Sequence, residues 1–200
     1  MIRSLDDVER YSQQLARTAP RIAKAIEFRR PGLNDLDRAR LRRHLPNLPN
    51  DYLEIATTWD LGPLSIGYFN LNPPSLGVAR ELVDRLIVAN TPVNPLFGSF
   101  KDSGMLQVAS YEGDPLLVGA KGSPVIGQVF RLSASNDQPQ LVAPDFGALL
   151  KAATQLDDFR AKGATGDDAI ESFLRSIEEY IPATAIPEWT LFADHALQPT

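Results

Sequence analysis

The sequence predicts an α+β fold: a single, mainly antiparallel, twisted sheet with helices packed around it. Three observations predict it. Residues 106–150 read as a strand, a tight acidic turn (Tyr111-Glu112-Gly113-Asp114-Pro115), further β-favouring apolar runs and then an abruptly amphipathic stretch, the order of a meander closed by a helix. Residues 48–71 run from a short helix into another strand-like segment. The chain has 200 residues and an ordinary globular composition, enough for one sizeable core or at most two small ones.

Each element has a local reason. Leu5, Val8, Leu15, Ala19, Ile22 and Ile26 fit a long amphipathic helix, broken or kinked around Pro20 because proline supplies no N–H. Asn34 or Asp35 caps a second helix with Asp37 in its first turn. Arg38, Arg40, Arg42, Arg43 and His44 follow toward its C-terminal end, where the helix dipole favours cations. This basic cluster has the composition of a nucleic-acid patch, but no aromatic residue interleaves with it, and a solvated helix face is the simpler account.

Leu48-Pro49-Asn50-Asp51-Tyr52 then opens a short helix whose apolar face is Tyr52, Ile55, Ala56 and Trp59, at i, i+3, i+4 and i+7. Trp59 is therefore expected in the core. Leu64, Ile66 and Tyr68 alternate with Ser65, Gly67 and Phe69, the period of a strand running from Leu64 toward Leu71. Two prolines between Asn70 and Ser75 take the chain out of the sheet. Leu76, Ala79, Val83 and Leu86, ending at Asn90-Thr91-Pro92, suggest a crossover helix. Residues 94–104 read as a loop, with Phe97 and Phe100 folding back onto the core.

Residues 125–132 and 141–143 are the later strands. The best-marked helix spans 145–160, with Asp145 as N-cap and Phe146, Leu149, Leu150, Ala153, Leu156 and Phe159 on one face. Another follows Gly163–Gly166, carrying Ile170, Phe173, Leu174, Ile177 and Ile181 until Pro182 stops it. The last eighteen residues, including Pro187 and Pro199, suggest a surface strap pegged by Trp189 and Phe192.

Charge and composition narrow the function. Residues 1–50 hold 11 Lys/Arg against 6 Asp/Glu, whereas residues 51–200 hold 9 against 19. An acidic body repels phosphate backbones and attracts basic proteins, so a basic protein partner is expected and nucleic acid is not. No window of 18 apolar residues exists, and the first 25 residues carry charges where a secretory segment needs an apolar run, so no membrane span and a cytoplasmic location are expected. The absence of cysteine excludes disulfides, thiolate nucleophiles and cysteine-based zinc sites. No Walker A loop, nucleophile elbow, H-E-x-x-H helix or dinucleotide fingerprint is present, and no cofactor is expected. As a catalytic base, His44 sits in an Arg-rich turn and His195 lies five residues from the C-terminus, so neither is placed for a Ser-His-Asp arrangement. Glu112 and Asp114 share a turn, which leaves a carboxylate-based hydrolase as the weakest alternative.

The Leu-Pro-x-Asp-Tyr helix start at Leu48–Tyr52, Gly62 after that helix, the Gly113-Asp114 turn between strands, and Pro144-Asp145-Phe146 leading into Leu149-Leu150 occur in an order that resembles the SUKH superfamily, the Smi/Knr-type domains best known as bacterial toxin-immunity proteins. The long insert from Pro73 to Phe100 departs from that pattern. The resemblance implies an N-terminal helical arm (1–44), a SUKH-like core (45–160) with a helical insert near 74–100, and a C-terminal helix and strap (161–200). It also implies a non-enzymatic immunity protein that occludes a cognate toxin or effector domain, the alternative being a regulatory or scaffolding module of the same fold. Within that implied function, the candidate contact residues are the loop acids Asp60, Asp102, Glu112, Asp114 and Asp137, with Tyr68 and Tyr111 as aromatic anchors.

Overall fold

In the computed structural model, which describes residues 1–77, 79, 81–133 and 138–198, three helices begin at a side-chain cap that the sequence offers. Ser4 caps α1 (Leu5–Thr18): its hydroxyl accepts from the Asp7 N–H while the Asp7 carboxylate accepts from the Ser4 N–H, a reciprocal pair that satisfies two backbone donors. The amphipathic stretch breaks beyond Thr18 and resumes only as the single turn α2 (Ala23–Ile26). Asn34 caps α3 (Asp35–His44), whose Arg40 reaches Asp84 and whose Arg38 pairs with Asp35. Next come α4 (Asn50–Thr58), β1 (Ser65–Ile66), β2 (Phe69–Asn70), α5 (Leu82–Ala89), α6 (Phe97–Phe100) and a 3-10 turn at Lys101–Ser103. The remainder is β3 (Met105–Tyr111), β4 (Asp114–Gly119), β5 (Val129–Arg131), β6 (Gln140–Ala143), α7 (Phe146–Ala161), α8 (Asp167–Ile177) and α9 (Ile186–Leu197). Asp145 accepts from the Ala148 N–H at 2.7 Å, as its N-cap position requires.

The α+β fold read from the sequence is the one observed. Among the described residues the sheet has six strands in the order β1-β2-β3-β4-β5-β6, every neighbouring pair antiparallel, and it does not close into a barrel. Where β2 has run out, the edge of β3 is satisfied by a side chain: Asn90 donates to the Gln107 carbonyl at 3.0 Å and accepts from the Gln107 N–H at 2.8 Å. A side-chain amide here stands in for a strand.

Five expectations are corrected. The run 64–71 is a two-stranded hairpin rather than one strand: Ser65 pairs with Asn70, Ile66 pairs with Phe69, and Gly67 turns the chain at φ +54°. Alternation of apolar residues fits a strand and the two arms of a tight hairpin alike. The 74–100 helix is no crossover, since β2 and β3 are antiparallel neighbours, and it starts only at Leu82, after Leu76 and Ala79. Within 94–104 the chain makes α6 and the 3-10 turn. The C-terminal strap is a helix: Trp189, Phe192, Ala193 and Leu197 are buried at helical spacing, and Pro187 sits in its first turn, where its missing N–H costs nothing. The strand expected at 125–132 narrows to β5, because the chain turns between Val125 and Gln128. Pro199 lies outside the described residues.

The sheet is apolar on both faces. Leu116, Val118, Val129 and Val142 join a cluster that runs from Ile2 to Leu197 and takes in α4, α7, α8 and α9. Leu117 and Phe130, pointing the other way, pack with Phe100 and Leu132. Trp59, Trp189 and Phe192 are buried as expected, and Phe100 folds back as expected.

Candidate functional site

The β3–β4 turn positions the first functional side chain. Tyr111 pairs with Asp114, so only Glu112 and Gly113 form the loop, and both have positive φ (+49° and +99°). Two left-handed central residues match the twist of a two-residue hairpin, but Glu112 adopts that conformation at a steric cost glycine would not have. The Glu112 N–H donates to the carbonyl of Tyr68, the residue at the tip of the β1–β2 hairpin, so the two turns are tied together.

Helix α9 closes this corner from the other side. Glu188, Phe192 and His195 lie at i, i+4 and i+7 and share a face. His195 stacks on Tyr68 with ring centroids 4.6 Å apart and an interplanar angle of 17°. Its Nδ1 lies 3.0 Å from the Tyr111 hydroxyl and 3.0 Å from Glu112 Oε2. Burial, then the nearby Glu112 carboxylate, hold the Tyr111 phenol above its ordinary range, so it remains a donor. With Nδ1 unprotonated, His195 accepts there from Tyr111; with a proton on Nδ1, it donates from that atom to Glu112. Beneath these groups lies an aromatic floor of Phe69, Tyr111, Trp189 and Phe192, with centroids 4.3–5.7 Å apart. The Trp189 indole N–H is anchored on the Val142 carbonyl at 2.8 Å.

A second polar string runs beside the first. Arg131 donates to Glu188 at 2.7 Å and to Asp114 at 3.2 Å, with its guanidinium 5.3 Å from the Phe192 ring centroid. The Arg131 and Glu188 side chains are largely buried, so this pairing holds β4, β5 and α9 in register more than it offers charge to a partner. On the far side of Tyr68, Arg160 from α7 sits 5.6 Å from the ring centroid.

The structure thus brings Tyr68, Tyr111, Glu112 and Asp114 to one corner. Tyr111 is floor rather than exposed anchor, and Asp114 is engaged by Arg131. Asp60 lies elsewhere, holding the Gly62 N–H at 3.1 Å on a cleft shared with Lys24, Asp37, Glu81 and Arg85. Asp102 is exposed in the 3-10 turn before β3, separated from Tyr111 by the strand's length, roughly 20 Å at 3.3 Å per residue. Asp137 lies outside the described residues. Sequence reasoning missed His195, Arg131, Glu188 and Arg160. The spacing of Glu188, Phe192 and His195 was the available signal for the two α9 residues, and treating the C-terminus as an irregular strap hid it. His195 is half-exposed, yet three neighbours hold its ring, contrary to the expectation that its position near the chain end leaves it unoriented.

Fold and site together define an α+β domain that presents a preorganised aromatic and charged corner on an otherwise acidic body. Comparison with family models, with curated proteins and with solved structures finds no match to this chain. Among the described residues, no helix is long and apolar enough to cross a membrane.

Proposed function

We propose that this chain is a SUKH-type immunity protein that binds a basic toxin or effector domain in the cytoplasm and blocks it by occlusion, without chemistry of its own and without binding nucleic acid. The observation that carries the reading is the corner itself. Tyr68, Glu112 and His195 come from three separate segments, are partly exposed, and rest on a buried aromatic floor. Groups already ordered before encounter lose little freedom on binding, which is how a small central patch supplies most of an interface's affinity. The 9 to 19 imbalance of basic and acidic residues over 51–200 supports a basic partner and fast association.

The corner also identifies the charge to reverse. Asp114 is engaged by Arg131, so its substitution disturbs the Arg131–Glu188 pairing as well as the surface. Glu112 alone is half-exposed and free of that string. The test is co-expression with the product of the neighbouring gene, scoring host survival and copurification, with Glu112→Lys beside the natural protein. Immunity predicts survival, a stable complex, and association slowed by about tenfold at low salt in Glu112→Lys. A harmless neighbour that forms no complex ends the immunity reading. A protective complex with unchanged association kinetics in Glu112→Lys removes this corner from the interface.

A further inference from the structure

A cleft of about 230 Å³ opens between α1, the segment leading through α2 to Phe28, the β1–β2 hairpin and α7. Its walls are apolar, built from Val8, Leu15, Ile26 and Ile66, and Ile22, more than half exposed, stands at its rim. One end is polar in an otherwise apolar setting. There Asp157, only 5% exposed, accepts from the Tyr11 hydroxyl at 2.9 Å and from Arg160 through Nε at 3.2 Å and Nη2 at 2.6 Å. Holding a carboxylate in such a place is costly unless it is paired, and Arg160 pairs it. Arg160, its side chain about half exposed, lines the same cleft, and its Nη1 has no hydrogen-bond partner among the described residues.

Volume and charge select the occupant. A cavity of about 150 Å³ accommodates benzene, and drug-sized ligands fill roughly 300–1,000 Å³. The space here suits one ring, or a short chain, with one or two further heavy atoms, and is too small for a peptide segment. Asp157 and Arg160 cancel each other, so a charged ligand would meet a like charge at the polar end, whereas a carbonyl or hydroxyl oxygen can accept from Arg160 Nη1 without disturbing the pair. We propose that this cleft is a binding site for a small uncharged molecule, apolar over its ring or chain, whose single carbonyl or hydroxyl end hydrogen-bonds Arg160. The cleft shares Arg160 with the corner beside Tyr68, but its ligand test does not depend on the immunity reading.

The test uses three probes sharing one ring: 4-methylphenol, toluene and 4-methylbenzoate, each titrated into the full chain and followed by amide chemical shifts. The site predicts saturable shifts for 4-methylphenol confined to residues 8–28, 65–67 and 154–161, with a Kd on the order of 0.1–1 mM. It predicts weaker binding of toluene and the weakest of 4-methylbenzoate. Leu15→Trp and Ala161→Trp, two independent ways of filling the cleft, each weaken 4-methylphenol at least tenfold while leaving the rest of the spectrum folded. Arg160→Met weakens 4-methylphenol about tenfold and toluene little. Absence of saturable shifts up to the probe's solubility, shifts that survive both filling variants, or tighter binding of 4-methylbenzoate than of 4-methylphenol would each overturn the proposal.

Discussion

The two faces of the sheet are built to different depths. One meets α4, α7, α8 and α9 in a cluster whose members come from both ends of the chain; the other carries Phe100, Leu117, Phe130 and Leu132, edged by Phe97, Met105, Val125 and Leu141. The candidate corner stands on the deep face, where Phe69, Trp189 and Phe192 interlock with Tyr111. Side chains can be held ready for a partner only when their floor cannot relax, and a floor touched by several helices relaxes least. The shallow face shields β4 from water but positions no residue of the corner.

Breaking the deep face should therefore cost most. Trp189→Ala removes a fully buried ring and orphans the Val142 carbonyl, and is expected to lose about 3–5 kcal/mol in denaturant unfolding and to free the His195 ring from Tyr68 in proton spectra. On the shallow face Phe100→Ala is expected to fall at the low end of that range, about 3 kcal/mol, because a thin cluster can collapse around the gap, and to leave the His195 and Tyr68 resonances in place. Equal losses, or equal disturbance of His195, would mean that the two faces form one cooperative unit.

A smaller effect of opposite sign sharpens the picture of the deep face. The Tyr52 hydroxyl is fully buried and has no hydrogen-bond partner among the described residues, while its ring packs edge-on against Phe146 at 4.9 Å. Tyr52→Phe keeps the ring and removes the unpaired group, and is expected to raise stability by about 1 kcal/mol. Burial also holds the Tyr52 phenol above its ordinary range. The folded state then keeps a proton that the unfolded chain releases above pH 10, so stability falls as pH rises past 10, and Tyr52→Phe should flatten that alkaline decline in melting temperature.

The smallest expected effect is at the edge of the deep face, on the α1 cap. Hydrogen bonds from the Arg3 backbone and from Ser4 lower the Asp7 carboxyl from 3.8 to about 2. Because the folded value lies below the unfolded one, the stabilisation is present above pH 4 and is lost as pH falls through 2. Ser4→Ala is expected to cost about 0.5–1 kcal/mol at neutral pH and to shrink the drop in melting temperature between pH 5 and pH 2.

The elements legible in the sequence are those whose cause lies within one or two turns of chain. Asn34 and Asp145 cap the helices they precede; Tyr52, Ile55 and Ala56 bury one face of α4; Phe146 to Leu156 do the same for α7; and the Glu112-Gly113 loop makes β3–β4 a hairpin. The 64–71 run misled because alternation has the same period on both sides of a tight turn. The C-terminal helix was overlooked because two prolines suggested an irregular path, although only Pro187 falls among the described residues, at a position helices accept. By itself, then, the amino-acid order determined the α+β class, the antiparallel β3–β4 pairing, the capped helices and the acidic body, since propensity, capping and net charge act between neighbours or are sums over residues. Tertiary structure alone decided that Tyr111 would meet His195, 84 positions away, that Asp114 would be taken up by Arg131, and that Asp60 and Asp102 would lie apart from both. Such meetings depend on where helices dock on the sheet, and docking is set by the summed fit of many apolar side chains rather than by any short stretch of sequence.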